Sequence, residues 1–336
     1  MGTAVPLVHE HRGDLLDLIH LGHVAIVDEK SHLIYSAGDP ETIVFYRSAS
    51  KPMQALPAIR HDLHKKYGIT DEESVIFAGS HAGEPFHIAA LENILLKTGL
   101  NEDMLVMKPA SPMSIKANEE RIQKGFPKRK LYHNCSGKHI ALMLLQRELG
   151  EKTEDYWKLD SAAQLEVMET IKTLGETDIV KTGIDGCGVP VFAIGLKHIA
   201  TSFKSLVRPE AIRDEGLVKA AMNFTPLIHK YPHMMAGTER ICSLLNYDPN
   251  IVAKGGANGV YGFALKKEGI GVAFKISDGT EQTWPLLVLE ILKALGCLSP
   301  ETNKRLELLN PSVILNDNEM QVGRREIVFE LIKEHV

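Results

Sequence analysis

Two apolar runs, Val260–Leu265 and Gly271–Ile276, are separated only by Lys266-Lys267-Glu268-Gly269. Runs of this length suit strands, and a charged break ending in glycine closes a hairpin between them. Trp284–Leu295 follows as an apolar stretch carrying Glu290 and Lys293, too long for a strand, and reads as a helix. A paired ribbon running into a buried helix commits the chain to a mixed architecture. The same alternation occurs upstream. Gly22–Asp28, Leu33–Ala37 and Thr42–Arg47 read as strands of an opening sheet. Lys51–Leu63, Phe86–Thr98, Lys138–Leu149 and Ala162–Leu174 read as helices, with Pro52 tolerated in a first turn and Pro57 a kink. Val75–Ala78 is a short strand or helix end. Ile179–Thr182 reads as a strand, Glu210–Leu245 as mostly helix broken near Pro232, and Glu326–Leu331 as a return to the sheet. The expectation is an α+β fold forming one catalytic unit over residues 1–336, with room for two interleaved subdomains.

Charge and cysteine content narrow the function. Thirty-eight basic against 43 acidic side chains give a net charge of −5, without the basic excess of a nucleic-acid binder. The stretch Lys124–Lys130 also contains Gly125, Phe126 and Pro127 and reads as a solvated loop. No apolar run reaches membrane-spanning length, and acidic and histidine residues from His9 to Asp17 interrupt any leader pattern. Four cysteines are too few for a disulfide scaffold. The expectation is a cytoplasmic protein with reduced thiols and no membrane or nucleic-acid partner.

Five short segments carry possible chemistry. Ser48-Ala49-Ser50-Lys51 is a Ser-x-x-Lys, which at helical spacing puts a hydroxyl and an amine on one face. A buried lysine loses basicity and can take a serine proton. By itself the pattern also fits an N-cap serine beside a solvated lysine. Gly79-Ser80-His81-Ala82-Gly83-Glu84 is a glycine-flanked turn able to expose a serine oxygen and backbone N–H groups, or simply a surface turn. His133-Asn134-Cys135-Ser136-Gly137-Lys138-His139 and Asp185-Gly186-Cys187-Gly188-Val189-Pro190 place cysteines in polar, glycine-rich turns. Cys242 and Cys297 lie in apolar runs and read as core. Thiols in polar turns are more often ligands or reactive groups, and two thiolates suit zinc. His133, Lys138 and His139 are candidates for a further ligand. Ala253-Lys254-Gly255-Gly256-Ala257 ends a strand with a lysine among small residues, reaching either a site or solvent. The order Ser48-x-x-Lys51, Tyr132-x-Asn134, Lys181-Thr182-Gly183 also follows the motif order of penicillin-recognising serine hydrolases.

Together these segments resemble one family, the rhizobial-type or class three L-asparaginases (asparaginase II). The likeness rests on Arg47-Ser48-Ala49-Ser50-Lys51-Pro52, Ser80–Glu84, His133–His139, Asp185–Pro190, Met235-Ala236-Gly237-Thr238 and Lys254-Gly255-Gly256-Ala257. It implies a fold akin to serine β-lactamases and glutaminases, a homodimer, and hydrolysis of L-asparagine to aspartate and ammonia. It implies two Ser-Lys pairs, Ser48 with Lys51 and Ser80 with Lys254. It also implies zinc on Cys135, Lys138 and Cys187, with Arg47, Asp185 and His139 contributing to substrate binding. Asn258 stands where many relatives carry an acidic residue. In this reading Lys51 takes the proton of an attacking Ser48, and Ser80 with Lys254 returns one to the leaving nitrogen, Ser80 being the rival nucleophile. Two alternatives stay open: another amidase, acting on glutamine or a β-lactam, and a zinc-thiolate regulatory protein.

Overall fold

A computed structural model describes residues 2–334. The main sheet is antiparallel throughout. Its strands are β1 (Val5–Arg12), β2 (Leu15–Val27), β3 (Leu33–Ala37), β7 (Ile251–Gly255), β8 (Val260–Leu265), β9 (Ile270–Ile276), β10 (Val313–Leu315), β11 (Gln321–Ile327) and β12 (Ile332–Lys333). A smaller sheet holds β4 (Ile43–Phe45), β5 (Lys181–Ile184) and β6 (Pro190–Gly195) in the order β4-β6-β5. The main order is β10-β11-β1-β2-β9-β8-β7, with β3 on β2 and β12 on β3. The long strand β2 makes this branching possible. Its first half pairs with β1, its second half with β3, and β9 runs along the other edge.

Strands β7 and β8 are buried along their whole length because both sheet faces are covered. One face carries the larger core, including the helices Lys51–Arg60, Ser136–Glu148 and Leu196–Val207. The other packs under the helix Trp284–Ala294. Helix Leu196–Val207 lies directly on β8 and β9, and glycine lets it come that close. A Cβ at Gly262 would stand 2.1 Å from the ring of the buried Phe203. We expect Gly262→Ala to destabilise the fold by about 1–3 kcal/mol through overpacking, read as a lower urea midpoint at unchanged slope.

The α+β expectation is met, with the apolar hairpin and following helix found as β8, β9 and Trp284–Ala294. Two local readings are met in finer detail, at Val75–Ala78 and Glu210–Leu245, and two change, at the chain's ends. The N-terminal segment is a β1–β2 hairpin, hidden from hydropathy because it buries paired polar groups. Arg325 Nε reaches Glu10 at 2.7 Å, and His20 Nδ1 reaches Asp278 at 2.5 Å. Val75–Ala78 is a helix end, started upstream by a Thr70/Glu73 capping box. Glu210–Leu245 resolves into helices Glu215–Lys230, His233–Ala236 and Ile241–Asn246. The C-terminal return is β11, which pairs with β1, followed by β12 on β3. Among the described residues no helix is long and apolar enough to cross a membrane.

Candidate active site

Lys51 opens the helix Lys51–Arg60, immediately after the 3-10 turn Arg47–Ser50. Arg47 has φ +50°, a conformation that costs a non-glycine residue energy and persists only when neighbours enforce it. They do so here. Arg47 Nη2 and Nε lie 2.9 and 3.1 Å from Asp185 Oδ1, and the Ser50 hydroxyl donates to the Arg47 carbonyl at 2.7 Å. The Lys51 side chain is fully buried. Its amine donates to the carbonyls of Gly79 (2.8 Å) and Asn134 (3.1 Å) and lies 2.9 Å from Ser80 Oγ. A neutral amine has two protons and one lone pair. The two carbonyls can only accept, so the lone pair is left for the Ser80 proton. Burial pushes the amine below its ordinary value, which favours this neutral form; Cys135 opposes and Lys138 adds to the shift.

This pairing differs from the sequence expectation. Lys51 is hydrogen-bonded to Ser80, while the Ser48 hydroxyl makes no hydrogen bond among the described residues. Ser48 and Lys51 do share a face, since the 3-10 turn stacks i over i+3 and the Lys51 N–H bonds the Ser48 carbonyl, but the long lysine side chain runs inward to Ser80. Lys254 is not bonded to Ser80 either; its amine donates to the Gly255 carbonyl at 2.5 Å. It lies at the end of β7, buried, beside the turn that carries Ser48. A Cβ at Gly256 would stand 2.9 Å from the Tyr46 carbonyl oxygen and 3.1 Å from Ala49 N. Lys254 is pushed down to about 8, chiefly by burial; Cys242 opposes, and the charges of Lys51 and Arg240 add to the shift.

The two polar-turn cysteines meet, although 52 positions separate them in sequence (187 − 135). Cys135 caps the helix Ser136–Glu148, and Cys187 sits in the tight β5–β6 turn, where the Asp185 N–H reaches the Val189 carbonyl at 2.9 Å. Gly188, at φ +92°, supplies the reversal. Lys138 Nζ lies 3.3 Å from Cys187 Sγ. A hydrogen bond from Cys187 holds the Cys135 thiol well below its usual range against the cost of burial, with Lys51 and Lys138 adding. The same bond and burial push Cys187 up. Burial works against a charge on Lys138, but the neighbouring Cys187, Cys135 and Asp185 outweigh it and raise its pKa. Among the described residues no three His, Cys, Asp or Glu side chains form a metal cluster; the nitrogen beside the two thiols is the Lys138 amine. Two sulfurs and one nitrogen fit zinc as a donor set.

A profile of the L-asparaginase II family matches residues 8–327. The chain belongs to that family. It is accordingly an amidohydrolase. No curated protein gives a significant match. Solved structures with detectable likeness include a β-lactamase from Mycobacterium bovis, at 15% identity and TM-score 0.41, covering 81% of this chain and 94% of that one. A putative β-lactamase from Bacteroides dorei matches at 11% identity and TM-score 0.46, covering 82% and 93%. Likeness at this level carries no chemistry across.

Within this asparaginase II family member, the remaining expected residues fall into two groups. Arg47 and Asp185 stand together as an ion pair beside Ser48. His139 is wholly buried behind the thiols. The Tyr156 oxygen accepts from the Val106 N–H at 2.9 Å, so its proton goes to His139 Nδ1 at 2.8 Å. The His139 Nε2–H is then a buried donor without a partner. Burial holds the ring neutral. A fully buried ring supports the site rather than meeting substrate at its surface. Lys181-Thr182-Gly183 lies exposed on the small sheet instead of joining the lysines, because its strand is the outer one of β4-β6-β5. Asn258 takes φ +60° in the β7–β8 turn, a position that Asn tolerates. Sequence reasoning missed Arg240, whose Nη1 reaches the Ser80 carbonyl at 3.4 Å. It also missed the His81–Ser136 bond of 2.8 Å, which ties the Ser80 turn to the Cys135 helix. Arg240 lies in no motif, whereas His81 and Ser136 lay within quoted segments and lacked only a partner.

Proposed function

We propose that this amidohydrolase converts L-asparagine to L-aspartate and ammonia through a serine ester. The observation that supports the reading most is the buried Lys51 amine, bonded to Ser80 and three residues after Ser48. Ser48 attacks the side-chain amide carbon, and the Lys51–Ser80 pair takes its proton. Lys254, bonded to one carbonyl among the described residues, has protons to spare for the leaving nitrogen. The amide C–N bond breaks as that nitrogen leaves as ammonia. Water then attacks the ester carbon, giving a proton to the now neutral Lys254, and the Lys51–Ser80 pair returns its proton to Ser48, which leaves as the hydroxyl. Asp185 takes the substrate's α-ammonium and Arg47 faces its α-carboxylate.

Cys135, Cys187 and Lys138 would hold zinc, with Lys138 losing its proton to bind. When bound, zinc supplies a fixed positive charge beside the substrate carboxylate. Cys135→Ser should lose the metal and raise KM more than it lowers kcat, checked by metal analysis with steady-state kinetics. A collapse of kcat at unchanged KM would move the metal into the chemistry.

A homodimer belongs to the same reading. The β1–β2 hairpin exposes Leu15, Leu16, Leu18 and Ile19, more apolar surface than an isolated hairpin usually shows to water. Light scattering gives the mass directly.

The deciding assay is ammonia release from L-asparagine, with L-glutamine alongside. Release from asparagine alone supports the reading. Release from glutamine at a higher rate, or from neither by folded protein, overturns it.

A further inference from the structure

On the Arg240 side of the serines lies a cleft of about 510 Å³ that the hydrolysis of asparagine does not need. It is lined by Arg240, Ile241, Glu281, Trp284, Pro285 and Leu309 among others. A space of this size is in the range of small-molecule sites. It contains two opposite charges that are not paired to each other. Arg240 bonds the Ser80 carbonyl (3.4 Å) and the Met113 sulfur (3.8 Å), and the Glu281 carboxylate makes no hydrogen bond among the described residues. Arg325, which also lines the cleft, is already committed to Glu10 and Gln282. Burial pushes the Glu281 carboxyl up, with the charges of Arg240 and Lys254 opposing. Trp284 is only 3% exposed, and its indole N–H has no partner. That N–H is sealed from the cleft, so Trp284 contributes an apolar wall.

We propose that this cleft is the subsite for the amine half of the amide and that it takes an α-amino acid, its carboxylate on Arg240 and its ammonium on Glu281. The proposal rests on the acyl-serine reading above. Two zwitterion sites then flank the serines: Arg47–Asp185 for the acyl donor, and Arg240–Glu281 for the amine. With an amino acid bound, the β-aspartyl group passes from serine to nitrogen. Glu281 takes one proton from the ammonium, and the freed amine attacks the ester carbon. A C–N bond forms and the C–O bond to serine breaks. The second amine proton passes to the serine oxygen through Lys254. The products are a β-aspartyl amino acid, free serine and protonated Glu281, which returns its proton to water. No oxidant or other reactant is needed.

The test is partition of the acyl group. Enzyme and L-asparagine are incubated with hydroxylamine, glycine or ethylamine, the last two at equal free-base concentration, and products are quantified by mass spectrometry against ammonia. Hydroxylamine, small and uncharged, reports the acyl-enzyme itself. Glycine should capture the acyl group about tenfold or more better than ethylamine, the size of a charge-assisted contact. Glu281→Gln should bring glycine down to the ethylamine ratio while hydroxamate still forms. Glycine no better than ethylamine, or an advantage that survives Glu281→Gln in a variant with wild-type melting behaviour, overturns the subsite and leaves the hydrolase reading standing. Absence of both ammonia and hydroxamate removes the acyl-enzyme, and the subsite with it.

Discussion

Ser48→Ala should leave a folded, zinc-binding protein with turnover down by about 10⁴-fold or more, the scale on which a covalent nucleophile is lost. Among the described residues the hydroxyl makes no hydrogen bond, and a strained turn holds it beside the Arg47–Asp185 pair and the end of β7. Ammonia release measures the loss; metal content and thermal midpoint show that the rest of the site survives. Quenching the wild type during turnover and mapping the aspartyl adduct identifies the attacking oxygen. An adduct on Ser80, with Ser48→Ala retaining near-normal rate, would exchange the roles of the two serines. The geometry makes that exchange a sharp alternative, because Lys51 is hydrogen-bonded to Ser80.

The alkaline limb of the pH profile should report Lys254. Its amine, pushed down to about 8, is charged below that value and neutral above it. As proton donor to the leaving nitrogen it works only when charged. Activity should therefore fall as pH rises through about 8. Lys254→Gln should cost about 10²–10⁴-fold in kcat, the usual share of a general acid, and should abolish this limb. A rate that instead climbs through the same range would make Lys254 a base. A limb that persists in Lys254→Gln would assign it to another group. Initial rates from pH 6 to 10, at saturating and limiting asparagine, separate these cases.

Much of the fold could be read from local pattern, since β8, β9 and Trp284–Ala294 carry their apolar character in contiguous runs. The β1–β2 hairpin could not, because Glu10 and His20 look solvent-facing until Arg325 and Asp278 arrive from the far end of the chain. The site divides in the same way. Cys135 and Cys187 stood out because a cysteine in a polar turn is unusual. That the Lys51 amine reaches Ser80 was invisible, because a lysine's reach is set by tertiary packing. Arg240 and Glu281 are single residues in ordinary surroundings, and only the cleft between them gives them a shared meaning.

Strand β7 ends the main sheet, and its edge is closed from within: the Asn246 side chain donates to the Ala253 carbonyl at 2.8 Å and accepts from the Ala253 N–H at 3.0 Å. The turn Arg47–Ser50 lies against this strand's far end, where the backbone at Gly256 comes close to Tyr46 and Ala49. The segment that carries Ser48 is therefore also a support for that end of the strand. Changes that relax the Arg47 backbone should do more than slow catalysis. They should also loosen this end of β7, read as a lower thermal midpoint that does not depend on protein concentration.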